Sequence, residues 1–335
     1  MRPRRVRPGD TVAIVSPAAP SFGMFPHRAE RGSAYLASLG LHAKPMPHAA
    51  GVEGWVSASP EDRAADLHAA FADPEVAVVL CAIGGNHANQ VLPHLDFELI
   101  AANPKIFQGY SDMTVLHWAI AKETGLSTFY GPALVAELAE FPAVLPLTDR
   151  FLRAAWFGDR PLRFEPAREW TDEFLDWNRK LDLTRARDQH PGEGWITIRG
   201  GSAEGPVVGG CLETICWHLK GSAHWPLLDG AVLMLESSEE RPPPAYVDSY
   251  LTDLEQLGVF DAIAGLIYAR PYGYGAAERD DLWAVLAKYA RCPALADVDC
   301  GHTDPMLTLP LGQIVRLDAD APRFETLAPP TAPKG

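Results

Sequence analysis

Apolar residues in the first half of the chain fall into short blocks with two different spacings. Continuous apolar runs at residues 11–16 (T-V-A-I-V-S) and 76–83 (V-A-V-V-L-C-A-I) predict strands, and the second is typical of a strand buried on both faces. Residues 29–39 and 59–72 have helical spacing, and the second of these begins with a serine N-cap followed by proline. Strands that alternate with helices in this way predict an open α/β domain with a parallel sheet.

The second half of the chain returns to the same alternation. Residues 231–236 (A-V-L-M-L-E) and 263–268 predict strands, while residues 246–257 and 280–289 predict helices. Between the halves, residues 161–205 lose regular apolar spacing and accumulate charges and tryptophans. A long stretch without periodicity is uncommon inside a compact domain, and it usually forms a functional loop or a linker.

These patterns divide the chain into three parts. We predict that residues 1–160 form an N-terminal open parallel-sheet (flavodoxin-like) domain, and that residues 206–335 form a second, smaller C-terminal domain that is α/β or β-rich. Residues 161–205 are predicted to be a substrate-covering loop or a linker. The tryptophans in this segment favour the covering loop, because aromatic side chains need a surface against which to bury.

Composition and charge exclude several classes of partner. The net charge of −14 argues against a nucleic-acid polymer or an anionic membrane surface as a partner. No apolar run reaches the roughly 18 residues of a membrane span, and the arginine-rich start leads into no signal peptide. The five cysteines include no C-x-x-C pair, so we expect neither a disulfide framework nor structural zinc, and we predict a cytoplasmic protein.

The hexapeptide G-Y-S-D-M-T at residues 109–114 is the most informative short motif. An apolar pair ends a predicted strand just before it, and an amphipathic helix follows. Strand, tight turn, serine and helix together present a hydroxyl at a sheet edge, beside a helix N-terminus. Ser111 also suits the role of helix N-cap, and the motif lacks the second glycine of G-x-S-x-G. The hexapeptide alone therefore leaves nucleophile and cap as alternatives.

Two further polar residues lie at predicted strand ends. Glu236 closes the strand at residues 231–236, and His302 lies in the loop after residues 294–298. A serine becomes nucleophilic when a base accepts its proton; histidine suits that task, and a carboxylate can orient its imidazole. Each residue also has a structural interpretation, as a solvated acid and as a histidine bonded to local backbone. A Ser-His-Glu triad is thus a hypothesis that the residues themselves leave open.

The acidic residues around His302 raise the alternative of a metal site. Asp297, Asp299 and Asp304 lie close to it in sequence, and carboxylates with an imidazole can hold a divalent ion. No second histidine follows at i+4, and the glycines at residues 84–85 belong to neither G-x-G-x-x-G nor a Walker motif. We therefore expect no metal and no other cofactor.

Taken together, these motifs resemble the LD-carboxypeptidases, serine peptidase family S66. The matching pieces are S-P-A-A-P (16–20), I-G-G-N (83–86), L-P-H-L-D (92–96), G-Y-S-D-M-T (109–114), Y-G-P (130–132), E-T-I-C-W-H-L-K-G-S (213–222), L-E (235–236) and G-H-T-D-P-M-L-T-L-P-L-G (301–312). The resemblance implies Ser111 as nucleophile, His302 as general base and Glu236 as the residue that orients it. It further implies an oxyanion hole made by the backbone N–H groups of Gly85 and Asp112.

Within this family, residues 161–205 resemble the long loop of the microcin C immunity peptidases, with W-x-D-E-x-x-x-W at residues 170–177. That branch implies a peptidyl- or aminoacyl-nucleotide substrate, on whose base Trp170 and Trp177 could stack, although packing of a lid is an equal alternative for them. A murein tetrapeptide cut at an L,D bond is the alternative substrate. A non-catalytic binding module with the same fold is the second alternative function.

Three further expectations accompany the resemblance. Arg270 is a candidate for binding a substrate carboxylate, because its guanidinium fork matches that group, although a surface salt bridge is the commoner fate. The family implies a homodimer. Cys211 occupies the asparagine position of the usual G-G-N-L, and residues 237–244 (S-S-E-E-R-P-P-P) lack the Asp and Lys that resemble substrate contacts in the microcin enzymes.

Overall fold

The computed structural model describes residues 1–333, so the last two residues of the predicted C-terminal domain lie outside it. Its strands are β1 (Thr11–Val15), β2 (His42–Pro45), β3 (Val76–Cys81), β4 (Ile106–Gly109), β5 (Thr128–Tyr130), β6 (Arg163–Phe164), β7 (Glu169–Trp170), β8 (His190–Pro191), β9 (Ile196–Arg199), β10 (Ser202–Cys211), β11 (Val232–Glu236), β12 (Gly265–Ala269), β13 (Ala294–Val298), β14 (Leu309–Leu311), β15 (Ile314–Asp318) and β16 (Arg323–Thr326).

The α-helices of the described residues are α1 (Ser21–Met24), α2 (Pro26–Ser38), α3 (Pro60–Ala72), α4 (Phe97–Ala102), α5 (Thr114–Thr124), α6 (Pro146–Phe157), α7 (Leu212–Thr214), α8 (Pro244–Gln256), α9 (Val259–Ala262) and α10 (Ala276–Tyr289). Short 3₁₀ turns lie at Ala88–His94, Ser111–Met113, Glu137–Ala139 and Leu181–Leu183, and a π-helical turn at Ile215–Leu219 continues α7. Among residues 1–333, no helix combines the length and apolar character needed to cross a bilayer.

The N-terminal half forms a six-stranded sheet in the order β14-β5-β4-β3-β1-β2. Strands β1 to β5 are parallel and follow the flavodoxin-like order 2-1-3-4-5, which confirms the predicted open α/β domain. β3 is buried at all six positions, as its continuous apolar sequence indicates. The edge strand β14 comes from near the C-terminus and pairs antiparallel with β5, so the two halves of the chain share this sheet.

The C-terminal half is built on an eight-stranded mixed sheet in the order β6-β16-β15-β10-β11-β12-β13-β9. Its centre, β10 to β13, is parallel, and the flanking pairs are antiparallel. Helices α8 and α10 belong to the same half and contribute buried apolar residues to its core. The expectation of a second α/β domain is therefore confirmed, with a sheet that is richer in antiparallel strands than the apolar runs indicated.

Residues 161–205 differ from the structureless stretch that their sequence suggested. β6 pairs with β16 and β9 pairs with β13, so both ends of the segment belong to the C-terminal sheet. Only residues 169–191, which we call the covering loop, stand apart from that sheet, and a two-residue pairing of β7 with β8 closes the loop at its base. Strands of two to four residues are too short to show a period of two in the sequence.

The two halves pack against each other through shared contacts. Both large clusters of buried apolar side chains draw on both halves of the chain. On α5, the Trp118 indole N–H donates a hydrogen bond of 2.9 Å to the carbonyl of Gly209 in β10. The carboxyl ends of β4 and β11 are thereby held close together, which is where ligands bind in sheets of this kind.

Candidate active site

Ser111 stands immediately beyond the carboxyl end of β4, on a strained turn. Its φ of 63° lies in the left-handed region, which is costly for a residue with a side chain. A Cβ at Gly84 would lie 2.8 Å from the Cβ of Ser111, so the turn requires glycine there. The N-cap residues of the 3₁₀ turn and of α5 are Tyr110 and Met113, so Ser111 occupies neither N-cap position.

The residues predicted as a triad lie in one hydrogen-bonded chain. His302 Nε2 lies 3.0 Å from Ser111 Oγ, and His302 Nδ1 lies 2.6 Å from Glu236 Oε2. Glu236 is the last residue of β11 and is fully buried, so its carboxylate is held in one place by the sheet. The sequence separates these residues widely, and the meeting of the two sheets brings them together.

Tyr130 completes this network, and the motif Y-G-P alone did not assign it a role. Its hydroxyl donates to Glu236 Oε1 at 2.6 Å and accepts the backbone N–H of Ser111 at 2.9 Å. Tyr130 ends β5, next to β4 in the sheet, so its ring reaches the turn at Ser111. The signal that could have found it is the position of the tyrosine at the end of a neighbouring strand.

Glu239 is a second carboxylate on the imidazole. Its Oε2 lies 2.7 Å from His302 Nε2, and its side chain is 64% exposed. Burial opposes the positive charge of His302, but Glu236 and Glu239 outweigh that effect and hold its pKa well above the usual range. The charged imidazole in turn lowers the pKa of Glu239 to about 2. In the sequence, Glu239 was indistinguishable from a solvated loop acid.

The residues predicted to form the oxyanion hole flank Ser111. Gly85 has a φ of 144°, and a Cβ there would lie 2.9 Å from the backbone nitrogen of Ala19. The buried Asp112 carboxylate accepts the backbone N–H groups of His87 and Ala88, each at 2.8 Å. The glycine turn is thus tied to the turn that carries Ser111. That the backbone N–H groups of Gly85 and Asp112 bind an oxyanion remains a prediction.

A cavity of about 620 Å³ opens beside Ser111 and His302, and the covering loop forms one of its walls. This volume suits a small-molecule ligand. Phe174 and Trp177 of the covering loop line the cavity. The guanidinium of Arg28 lies 4.2 Å from the centre of the Trp177 ring, and Phe25 packs edge-on against it at 5.3 Å.

Trp170 and Arg270 lie elsewhere than the sequence predicted. The Arg270 side chain has 0% exposure and donates to Asp299 Oδ1 at 2.6 Å. Trp170 is buried, and its ring packs 4.9 Å from that guanidinium. Neither residue lines the cavity, and Arg270 is instead bound by the buried Asp299 inside the protein.

Arginines that belong to no motif tie the covering loop to the body of the protein. Arg187 donates to Glu140 and Asp304, each at 2.7 Å, and Arg28 donates to Asp182 at 2.7 Å. Arg187 and Arg28 also line the cavity. Their roles depend on partners distant in sequence, so no local pattern could reveal them.

In the described structure, the Cys211 thiol forms no hydrogen bond with Ser111, His302 or Glu236. Its Sγ lies 3.6 Å from Glu213 Oε2, and its backbone N–H donates to Thr114 Oγ1 at 3.0 Å. Burial raises the pKa of the thiol well above its usual value, so it stays protonated. Residues 1–333 contain no group of three or more side chains placed to hold a metal ion.

Comparison with known proteins assigns the family. The model of the LD-carboxypeptidase N-terminal domain matches residues 12–131, and that of the LD-carboxypeptidase C-terminal domain matches residues 204–317. The chain therefore belongs to the LD-carboxypeptidases, peptidase family S66, a family of serine peptidases. The expected family and the expected class of enzyme, a serine-type carboxypeptidase, are both confirmed.

Two relatives of similar sequence identity have names that point to different biological roles. The microcin C7 self-immunity protein MccF of Escherichia coli is 31% identical over 93% of this chain and 91% of its own length. The "Probable murein peptide carboxypeptidase" of Bacillus subtilis is 32% identical over 93% of this chain and 89% of its own length. The structure of MccF in complex with aspartyl sulfamoyl adenosine superposes with a TM-score of 0.89 at 29% identity, covering 99% of this chain and 100% of that one.

Proposed function

We propose that this protein hydrolyses an amide bond through an acyl-enzyme on Ser111, and that its substrate is an aminoacyl- or peptidyl-nucleotide of the microcin C type. One observation carries the catalytic part: the chain of hydrogen bonds from Ser111 through His302 to Glu236. A serine, a base and a carboxylate in this order make an activated nucleophile. The strained turn at Ser111 supports the same role, because such strain gathers at reactive sites.

The reaction follows from the positions of these groups. Ser111 Oγ attacks the carbonyl carbon while its proton passes to His302 Nε2, and Glu236 stabilises the imidazolium through Nδ1. The backbone N–H groups of Gly85 and Asp112 are the proposed donors to the oxyanion. The C–N bond then breaks, and His302 gives the proton to the leaving nitrogen. Water attacks the resulting ester, its proton passes through His302 back to Ser111 Oγ, and the acid is released.

The cavity supports the nucleotide part of the proposal. Phe174 and Trp177 offer aromatic faces on which a flat base can stack, and the cavity size suits a nucleotide. A protein of the same fold binds an aminoacyl-sulfamoyl nucleotide. A murein tetrapeptide remains the second candidate, because a relative that is 32% identical is named a probable murein peptide carboxypeptidase. A non-catalytic binding module is disfavoured by the complete Ser-His-Glu chain.

Two expectations about the protein in the cell belong to this proposal. We infer a cytoplasmic location, and the five cysteines fit a reducing compartment because all of them are free in the described structure. We also infer a homodimer from the family resemblance. Light scattering of the purified protein tests the dimer directly.

The decisive experiment compares two substrates and two serine variants. The wild type is expected to release the amino acid from alanyl-sulfamoyl adenosine faster than it releases D-alanine from an L,D-tetrapeptide. In Ser111→Ala, kcat should fall by about 10⁴-fold or more, because the nucleophile is lost. Ser38→Ala, at an exposed serine of α2, is the matched control and should retain full activity.

Each outcome of this experiment has a definite meaning. Equal activity in Ser111→Ala rejects the nucleophile. Hydrolysis of the tetrapeptide alone rejects the nucleotide substrate. A folded wild type that hydrolyses neither substrate, and whose Ser111 does not react with a fluorophosphonate probe, supports the binding module instead.

A further inference from the structure

The Nε2 atom of His302 is contacted by two groups that compete for it. Glu239 Oε2 lies 2.7 Å from this nitrogen, and Ser111 Oγ lies 3.0 Å from it. Glu239 meets Nε2 as an ion pair, and because a carboxylate has no proton of its own to donate, Nε2 carries the proton while Glu239 is in this position. An imidazole protonated at both nitrogens cannot accept the proton of Ser111. In this arrangement the base is occupied.

The surrounding chain places Glu239 in this position. Just before it, the backbone N–H and the hydroxyl of Ser238 both donate to Glu213 Oε1, at 2.9 and 2.7 Å. Glu213 is buried, so the loop is anchored up to residue 238. The Glu239 side chain lines the cavity together with Ser111, whereas the exposed Glu240 does not line it.

The charges around Glu239 leave it without a basic partner other than the histidine. Of the cavity-lining arginines, Arg187 is paired with Glu140 and Asp304, Arg28 with Asp182 and Arg185 with Glu173. Among residues 1–333, no lysine or arginine forms an ion pair with Glu239. An exposed carboxylate that lies beside the nucleophile and has no arginine partner is suited to binding a cation from the substrate.

The other titratable groups that face this pair do not supply a positive charge. Glu236 lies on the opposite nitrogen of the His302 imidazole. The Tyr110 ring lies 5.0 Å from the imidazole, and its hydroxyl donates a hydrogen bond to Glu137 at 2.8 Å. Tyr272 lines the cavity with Glu239, and burial raises its pKa. The corner of the cavity beside Ser111 is therefore acidic.

We propose that Glu239 recognises a free, positively charged amino group next to the scissile carbonyl, and that this contact releases His302 to act as the base. The inference rests on the proposed hydrolysis at Ser111 and names its substrate more closely. An α-amino nitrogen is two covalent bonds, each about 1.5 Å long, from the carbonyl carbon. When that carbon meets Ser111 Oγ, the ammonium enters the part of the cavity that Glu239 borders.

Recognition and activation are then one event. The substrate ammonium takes the Glu239 carboxylate from Nε2, and the proton on Nε2 is lost to solvent. Nε2 then accepts the proton of Ser111 as the Oγ–C bond forms. Glu239 is one of the two carboxylates that raise the pKa of His302. When the Glu239 carboxylate moves away from Nε2, the pKa of His302 therefore falls, which favours loss of the Nε2 proton before Ser111 attacks.

This role selects one kind of acyl group. An aminoacyl nucleotide has a free α-ammonium beside its carbonyl. In a peptidyl nucleotide, and at the cleaved residue of a murein tetrapeptide, the same nitrogen is part of an amide and carries no charge. We therefore assign the enzyme to substrates whose acyl part is a single amino acid with a free amino group.

The test compares alanyl-sulfamoyl adenosine with its N-acetyl and its propionyl analogues, which lack the charge. The wild type should prefer the free amine by about 10- to 100-fold in kcat/KM, the range for a hydrogen bond to a charged group. Glu239→Gln should lose most of that preference. Its kcat/KM should also persist to lower pH, because the base no longer has a second carboxylate to hold its proton. Glu240→Gln is the matched control and should behave as the wild type.

The inference requires that Glu239→Gln both loses the preference for the free amine and keeps its kcat/KM to lower pH. If Glu239→Gln keeps the preference for the free amine, or if the acid limb of its pH profile does not move, the inference is overturned while Ser111-dependent hydrolysis stands. If the wild type hydrolyses none of the three compounds and Ser111 remains unlabelled by the fluorophosphonate, the proposed function itself has failed. A thermal denaturation curve of each variant shows that it is folded.

Discussion

Two walls of the same cavity are built in opposite ways. In the floor, Ser111 and His302 line the cavity, and Glu236 and Tyr130 support them from strand ends through hydrogen bonds. The covering loop, residues 169–191, presents the exposed Phe174 and the half-buried Trp177. Its ion pairs range from the exposed Arg185–Glu173 to the largely buried Arg187–Glu140. Buried hydrogen bonds fix the geometry of the floor, while an exposed ion pair such as Arg185–Glu173 contributes little energy and rearranges easily. The floor is suited to chemistry and the loop to selecting a substrate.

The two walls are nevertheless connected beside the histidine. The backbone of Thr171 in the covering loop exchanges two hydrogen bonds with Asp304, of 2.7 and 2.9 Å. Asp304 lies two residues after His302 and also binds Arg187 of the loop. A change in the loop can therefore reach the turn that carries the base. Variants on the two walls test how far their roles separate.

Removing the charge of Glu236 should have the largest effect. In Glu236→Gln, the amide cannot accept both from Tyr130 and from Nδ1 of His302 and also stabilise an imidazolium. We expect kcat to fall by about 10³- to 10⁴-fold, because the imidazole is left without its charge partner or in the wrong tautomer. KM should change by less than about twofold, since Glu236 does not line the cavity. Steady-state kinetics measure both, and a large rise in KM with normal kcat contradicts the separation of the two walls.

Removing the Tyr130 hydroxyl should have an intermediate effect. Tyr130→Phe leaves the N–H of Ser111 and one oxygen of Glu236 without their partners, at a cost of about 1–3 kcal/mol each. We expect kcat to fall by about 10- to 100-fold with KM unchanged, because Tyr130 positions the residues that react. Tyr268→Phe removes another buried hydroxyl, which is bonded to Ser237, and serves as control. An equal loss of kcat in both variants would indicate general destabilisation rather than positioning.

Changes to the tryptophans should have the smallest effect on kcat. Trp177→Ala should raise KM for the aminoacyl nucleotide by about tenfold and leave tetrapeptide cleavage unchanged, if its ring stacks on the base. Trp170→Ala is the matched variant outside the cavity. It should lower the melting temperature, because truncating a buried tryptophan costs about 3–5 kcal/mol, and leave KM unchanged in the folded protein. A rise in KM for Trp170→Ala alone would reverse the assignment of the two residues.

Much of the fold was predictable because its signals are local. The buried run at β3 and the capped helix α3 follow from apolar spacing and from Ser59, whose hydroxyl accepts the N–H of Asp62. The short strands at the ends of the covering loop were not predictable. β6 and β9 exist because the C-terminal sheet offers them a partner, and two to four residues carry no period of their own.

The residues of the candidate site also fall into two groups: those that local sequence signals could predict and those that depend on a partner distant in sequence. Ser111, Glu236 and His302 were found as polar residues at predicted strand ends, supported by motifs along the chain. Arg270 was predicted to bind a substrate carboxylate but instead pairs with Asp299 inside the protein. Its position after a strand does not reveal that Asp299 lies so close. Tyr130, Arg187 and Glu239 were missed, because each acts through a partner from another part of the chain.

The sequence by itself determined the family, the two-domain α/β class and three residues suited to acyl transfer, because these depend on local pattern and on motifs. The tertiary structure alone decided which side chains share the cavity. Whether a charge is buried against a partner or left facing Ser111 depends on distances between strands far apart in sequence. That difference separates Arg270, neutralised inside the protein, from Glu239, which remains exposed beside the base.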